Sequence, residues 1–420
     1  MPSLSKPRLS RYRYTRRRWH VLFTIIDTVG AWLFALGRFL SGSREPKPLD
    51  DVRSILLIQL DHLGDALLTT AMLPALRKRF PQARLEVLAA PWNKAVFASH
   101  DVDAIHVCET NRFQREGNWL WPLALVAWAW KLRAKQFDLA IDVRGELPHA
   151  ALMWLAGIKR RVGWSDGGGE FLLSDSLQHE PGQHELESRR RLLRVVEVPE
   201  VLLKAMRPRW PIDERDRLAV QSWLDMRLAG ARPLVVVHVG AGTQAKRWTL
   251  EHLQELLGRL VVELDARVVL VGSAEERGWS EQITLGQDWP QVVDRVGLMT
   301  LGEVAALCER AAVFVGADSG PAHLAAAVDC PVVTLFSGTN VAAQWRPVGN
   351  LVRVLRHEVA CSPCHCQSCP LADHPCMTGI QPQQVIAALR ELIVTPLPLP
   401  ETRAVPSELL TMIATEGDDR

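Results

Sequence analysis

The sequence predicts an α/β protein of two successive doubly wound units. Three observations carry that prediction. Short apolar runs of buried-strand type recur along the chain. Each is followed by a segment with helical periodicity, the βαβ pattern of a parallel sheet. The alternation fades between about residues 165 and 230 and then restarts, as expected where a chain crosses between domains. The 420 residues, 48% hydrophobic and 23% charged, suffice for two ordinary cores.

Taken in order, the N-terminus stands apart. Residues 1–50 hold ten Lys/Arg against Asp27, Glu45 and Asp50, a charge of +7, so the remainder carries −5. The basic excess is therefore local, and the body is not a nucleic-acid-binding surface. Arg8, Arg11, Arg13, Arg16, Arg17 and Arg18 precede an apolar stretch over 19–40 whose small and polar residues form one stripe at helical spacing. A spanning helix would bury Asp27 at about 3 kcal/mol. A helix lying in a membrane surface would leave it in water, with the basic run attracted to anionic lipid. A helix packed on the protein itself is a third arrangement. The in-plane helix is the preferred expectation. No small-residue cleavage site follows, so no removed signal peptide is expected.

After a linker, residues 54–60 (SILLIQL) read as a strand and 65–80 as a helix. Strands follow at 84–89 and 138–143, with a Trp-rich helix over 118–135 between them. The second unit has strands at 234–239, 267–272, 312–315 and 331–336, and helices at 250–264, 301–310 and 321–328. The expected domains are 1–50, arm, amphipathic helix and linker; 51–215; 216–395; and a disordered tail, 396–420. Ligands of such sheets bind outside the carboxyl ends of the strands.

Three loops at strand ends carry chemistry. Residues 240–248, GAGTQAKRW, combine Gly240 and Gly242 with Lys246 and Arg247, a setting for phosphate oxygens. A P-loop is excluded because Ala245 stands where glycine is required before the lysine. The spacing Gly240, Gly242, Ala245 fits a relaxed dinucleotide fingerprint, but the next strand ends in Ser273 and not in an acid. Residues 317–323, ADSGPAH, place Pro321 as a first helical residue behind Ser319 and Gly320, with a positive dipole end open to an anion. Alone, Asp318 reads as a cap and His323 as a core histidine; with the first loop, both read as ligand contacts. The third loop, Asp61–His62–Leu63–Gly64–Asp65, puts carboxylates at the end of the first strand, where an N-cap is the competing role.

Of eight cysteines, Cys361, Cys364, Cys366, Cys369 and Cys376 crowd one segment, 361–376, beside His365 and His374. The spacing allows a structural zinc, though short for a ribbon or finger. Free thiols or a disulfide are the alternatives.

Together, ILLIQLDHLGDALLTTAMLPALRKRFPQA, VVVHVGAGTQAKRW, VVLVGSAEERG and VFVGADSGPAHLAAAVDCPVVTLFSGTN resemble the lipopolysaccharide heptosyltransferases, over about residues 52–392. The resemblance implies a GT-B fold, two Rossmann-like domains facing across a cleft. It implies inverting, metal-independent transfer of heptose from an ADP-sugar to lipid A–core at the inner face of the inner membrane, with no required cofactor. It makes Asp65 the general base. It places the donor diphosphate near Gly242, Thr243, Lys246, Ser319, Gly320 and Pro321, with Asp318 and His323 in the same pocket and Glu276 near the nucleoside. Departures are Ala317 in place of Asn, Phe-Ser-Gly at 336–338 where Phe-Gly-Pro is common, and the long N-terminus.

Overall fold

The structure, a computed structural model, describes residues 17–41, 46–109, 121–228 and 232–394. The basic residues before Arg17, part of the linker, the start of the Trp-rich segment and the tail expected after 395 lie outside these residues.

Two parallel six-stranded sheets form the body. The first has strands β1 (Ser54–Gln59), β2 (Arg84–Ala89), β3 (Ala104–Val107), β4 (Leu139–Asp142), β5 (Arg160–Trp164) and β6 (Asp175–Leu177), in the order β3-β2-β1-β4-β5-β6. The second has β7 (Leu234–His238), β8 (Arg267–Val271), β9 (Val292–Asp294), β10 (Val313–Ala317), β11 (Val332–Phe336) and β12 (Val352–Arg356), in the order β12-β11-β10-β7-β8-β9. Both are the Rossmann order, with the direction of winding reversing between β1 and β4 and between β7 and β10. Every residue of β1, β7, β10 and β11 is buried, because helices cover both faces. That double burial is why these strands appear in the sequence as unbroken apolar runs.

The helices are α1 (Arg17–Ser41), α2 (Leu63–Thr70), α3 (Met72–Arg79), α4 (Lys94–Ala98), α5 (Trp121–Arg133), α6 (Leu147–Leu155), α7 (Glu185–Val195), α8 (Glu200–Lys204), α9 (Glu214–Arg227), α10 (Leu250–Leu264), α11 (Arg277–Thr284), α12 (Leu301–Arg310), α13 (Gly320–Ala327), α14 (Ala342–Trp345), α15 (Pro375–Thr378) and α16 (Pro382–Val394). The helix expected over 65–80 is two helices meeting at Ala71, ahead of Pro74, which has no N–H to continue the ladder. The interval 165–230 is largely helical: α7 and α8, then α9, which packs on α12 of the second unit. Strands β3, β5, β6, β9 and β12 escape the periodicity reading. β3, β6 and β9 are short, β12 is half-exposed at a sheet edge, and β5 opens on two arginines that break its apolar run.

Helix α1 corrects the expectation for Asp27. The carboxylate is not in water: it is 3% exposed and accepts the backbone N–H of Gly169 at 2.7 Å. Phe23 is buried beside it, and Phe34 meets Trp154 and Phe171 edge-on, at 6.2 Å between ring centres in each case. The inward stripe, Phe23, Asp27 and Phe34, thus docks α1 on the first domain. Val21, Ile25, Val29, Trp32 and Leu33 face outward, each more than half exposed. No helix among the described residues is long and apolar enough to cross a membrane.

Candidate functional site

The loops after β1, β4, β7 and β10 all leave the two sheets at their winding reversals, where α/β folds open a crevice. The starts of α2 and α13 meet across it. A Cβ on Gly64 would lie 3.1 Å from the His323 ring, and one on Gly320 would lie 2.6 Å from the Leu63 side chain. Glycine at 320 gives Leu63 its room, and glycine at 64 spares the His323 ring a tight contact. The loops 61–65 and 317–323, far apart in sequence, become one site.

On the second domain, Ser319 is the N-cap of α13, Gly320 opens the helix, and Pro321 is its second residue, one place later than expected. The Ser319 side chain does not cap; its hydroxyl turns back to the Ala317 carbonyl at 3.2 Å. The helix start therefore offers N–H groups and dipole to the crevice with no side chain in competition. Beside it, Lys246 Nζ donates to Asp318 Oδ2 at 2.9 Å and to the Asp318 carbonyl at 3.2 Å. Asp318 is 4% exposed and also accepts from Asn340 Nδ2 at 2.9 Å. Lys246 is thus a held cation with its charge partly balanced and one N–H left over. Asn340, in the loop after β11, was missed by sequence reasoning; its TLFSGTN context marks a strand end and nothing about its partner.

Three buried polar atoms of these loops have no hydrogen-bond partner among the described residues: Thr243 Oγ1, Arg247 Nε and His323 Nδ1. Buried polar groups are normally paired, and Thr243 and His323 lie on the loops that border the crevice, where a ligand can supply the missing bond. Burial holds the His323 imidazole down to about 4, so it is neutral at physiological pH. Gly242 is exposed, with open space where a Cβ would stand. At Gly240 a Cβ would collide with Glu276, which lies directly behind the loop. Glu276 Oε2 accepts from the Ser273 N–H at 2.8 Å and lies 3.5 Å from His238 Nε2. The His238 contact and the Ser273 bond outweigh burial and hold its carboxyl below the usual range. Trp248 is core: its indole donates to the Ile380 carbonyl at 3.0 Å.

The cysteine segment braces this loop. The Gln367 carbonyl accepts from the Ala245 N–H at 3.0 Å, Cys369 N–H donates to Gln244 Oε1 at 3.0 Å, and His374 Nε2 donates to the Ala245 carbonyl at 3.0 Å. Its Cys364 N–H reaches the Gly338 carbonyl at 2.9 Å. The five cysteines are free thiols, Cys376 buried and Cys361 exposed. Among the described residues no three or more His, Cys, Asp or Glu side chains converge as a metal cage requires.

On the first domain, the N-cap of α2 is His62, and Asp65 sits in the first turn, so the capping role weighed for the carboxylates falls to neither aspartate. Burial pushes the Asp65 carboxyl up to about 6 against the pull of Arg189; Glu185 adds to the rise, while His62 and Lys246 oppose it. The Arg189 guanidinium lies 3.6 Å from Asp65 Oδ1. Arg189 and Glu185 come from α7, in the stretch where the sequence pattern fades. Asp61 instead forms an ion pair with Arg144 from the loop after β4. A carboxylate poised near neutrality thus faces an uncapped helix start and a held lysine across a shared crevice.

Two doubly wound domains with an anion-accepting helix start on one side and a buried carboxylate on the other define a GT-B-type glycosyl-transfer architecture. The chain belongs to glycosyltransferase family 9, the heptosyltransferases, whose model matches residues 126–374. It is 25% identical over 366 residues to lipopolysaccharide heptosyltransferase 2 of Salmonella typhimurium, covering 81% of this chain and 98% of that one. It is 26% identical over 297 residues to lipopolysaccharide heptosyltransferase 3 of Escherichia coli, covering 68% and 84%. The same fold is seen in a family 9 glycosyltransferase from Veillonella parvula, with TM-score 0.69, 20% identity and coverage of 83% and 99%. It is seen again in E. coli ADP-heptose LPS heptosyltransferase II, with TM-score 0.64, 23% identity and coverage of 81% and 98%.

Proposed function

We propose that this glycosyltransferase moves a heptose-type sugar from an ADP-sugar to a lipid A–core acceptor, inverting the anomeric carbon, with Asp65 as general base. The observation that carries the proposal is the meeting of α2 and α13, which sets the base beside the donor loops. An acceptor hydroxyl attacks the anomeric carbon as the nucleoside diphosphate leaves on the opposite side. Asp65, ionised above about pH 6, takes the hydroxyl proton. Charge growing on the diphosphate is taken up by the α13 start and by Lys246. Thr243 Oγ1 and His323 Nδ1, both unpartnered among the described residues, supply bonds to the donor. Glu276, behind Gly240, faces the nucleoside end. Relatives named for lipopolysaccharide and for ADP-heptose support the donor and acceptor classes.

The outward apolar face of α1 adds a peripheral attachment. Phe23, Asp27 and Phe34 are turned to the protein while Val21, Ile25, Val29, Trp32 and Leu33 lie outward, an exposed apolar face that calls for an apolar partner. With the basic run beside it, that partner is an anionic lipid surface, the cytoplasmic leaflet of the inner membrane, where the acceptor resides.

The test is Asp65→Asn assayed with ADP-heptose and heptose-deficient lipid A–core. Turnover falls by at least about 10²-fold, the usual worth of a general base, while donor affinity by calorimetry is retained. Equal loss of binding and turnover would remove Asp65 from the base role. A different nucleotide-sugar accepted in place of ADP-heptose would leave the chemistry and change the donor.

A further inference from the structure

We propose that Arg189 is the positioning residue for Asp65, and that a Glu185–Gln344 hydrogen bond between the domains makes its hold depend on a closed cleft. The inference rests on Asp65 being the base.

Arg189 is 2% exposed, and each guanidinium nitrogen is engaged. Nε donates to Thr69 Oγ1 at 3.2 Å, Nη1 to the Glu185 carbonyl at 2.9 Å and to Glu185 Oε2 at 2.7 Å, and Nη2 to the Asp65 carbonyl at 3.3 Å. A planar fork fixed at all its nitrogens has one orientation, and that orientation aims Nη2 at the Asp65 carboxylate. One guanidinium therefore holds both the backbone and the side chain of the base.

Its anchor, Glu185, bridges the domains. Glu185 Oε2 holds Arg189, while Oε1 accepts from Gln344 Nε2 at 2.9 Å, and Gln344 belongs to α14 of the donor domain. The neighbouring residue makes a second bridge: His184 Nε2 donates to the Arg346 carbonyl at 2.9 Å. His184 Nδ1 accepts the Leu186 N–H at 3.0 Å, which assigns the neutral tautomer with the proton on Nε2. The first turn of α7 is thus clasped to α14 directly behind the base. Without Gln344, the Glu185 charge has lost one partner and draws harder on Arg189, loosening its hold on Asp65. The charged and titratable groups around Asp65 are Arg189 and Glu185 on α7, His62 before α2, Lys246 on the donor loop and His323 on α13. Of these, Arg189, His62 and Lys246 favour the ionised carboxylate and Glu185 opposes it. Opening the cleft therefore weakens both cations at once.

The experiment uses the full chain and three substitutions, Gln344→Ala, Gln344→Glu and Arg189→Lys, each made with and without Asp65→Asn. The first readout needs no substrate: melting temperature from about pH 4.5 to 7.5, where the difference made by Asp65→Asn reports ionisation of Asp65. Gln344 is only half-buried, so Gln344→Ala leaves the fold intact. It is expected to move the Asp65 titration to higher pH, and Gln344→Glu and Arg189→Lys to move it further. The second readout is kinetic, with ADP-heptose and lipid A–core: Gln344→Ala lowers kcat about tenfold, the scale of one lost hydrogen bond, with the donor KM within about twofold. A titration unmoved by Gln344→Ala, or melting temperatures lowered equally at every pH, overturns the proposal and leaves Arg189 a structural ion. Turnover surviving Asp65→Asn in the unsubstituted background overturns the base assignment instead, so the two failures are distinguishable.

Discussion

At the residue scale, the site depends on charges held in place before any ligand arrives. Asp65, raised to about 6 by burial, is protonated below that pH and ionised above it. The folded-state value lies above the unfolded one, so Asp65 destabilises the fold increasingly as pH rises from about 4 to 6 and by a constant amount beyond. Catalysis has the opposite dependence: kcat/KM should fall about tenfold per unit as pH drops below 6, because only the carboxylate accepts the proton. A profile flat from about pH 5 to 7 would show that no group of this kind limits the reaction. Lys246 is tied to Asp318, so Lys246→Ala removes a charge from the proposed diphosphate site and leaves the buried Asp318 carboxylate with Asn340. Turnover should fall by roughly 10²–10³, the worth of one oxyanion-type contact. The melting temperature should fall with it, since breaking a buried pair costs about 3–5 kcal/mol. Unchanged kinetics would make the lysine purely structural. Lys246 was legible because a strand running into a glycine- and lysine-bearing turn is a local pattern, Asp318 and His323 because a strand runs into a helix start beside them, and Thr243 through the family resemblance alone. Arg189, Glu185, Asn340 and Gln344 were not: each acts through a partner far away in the chain, and HELESRRR looks like any solvated helix.

At the scale of elements, α1 shows how one helix can carry two interfaces. Its periodicity was visible in the sequence, but which stripe faces inward was not. Apolar residues lie on both sides: Phe23 and Phe34 pack inward with Asp27, which accepts from the Gly169 amide, while Val21, Ile25, Val29, Trp32 and Leu33 are left outside. Flotation with vesicles containing phosphatidylglycerol measures the consequence. The full chain should bind, and Ile25→Asp with Trp32→Asp should release it at least about tenfold, since each residue gives up roughly 1.5–3 kcal/mol of burial. Equal binding of the two proteins would return α1 to a purely intramolecular role. The cysteine segment is a second such element: its backbone and His374 hydrogen-bond to Gln244 and Ala245 and hold that loop in shape.

At the scale of the whole molecule, the two Rossmann sheets place four loops around one crevice and leave the donor to be named by stability. A ligand that binds only the folded state raises the melting temperature by mass action. ADP-heptose should raise it more than UDP- or GDP-sugars at equal concentration. A larger rise with a uridine or guanosine nucleotide would reassign the donor and leave the fold untouched. By itself the sequence determined the class of fold, the long buried strands and the two phosphate-type loops, because these follow from runs of adjacent residues: apolar burial on both faces, glycine turns, helix starts. The tertiary structure alone decided what stands opposite those loops. Gly64 packing on His323, Gly320 on Leu63, Arg189 behind Asp65 and the clasp to Gln344 arise from contacts between distant segments. Such contacts depend on how two finished domains meet, and local patterning does not encode that meeting.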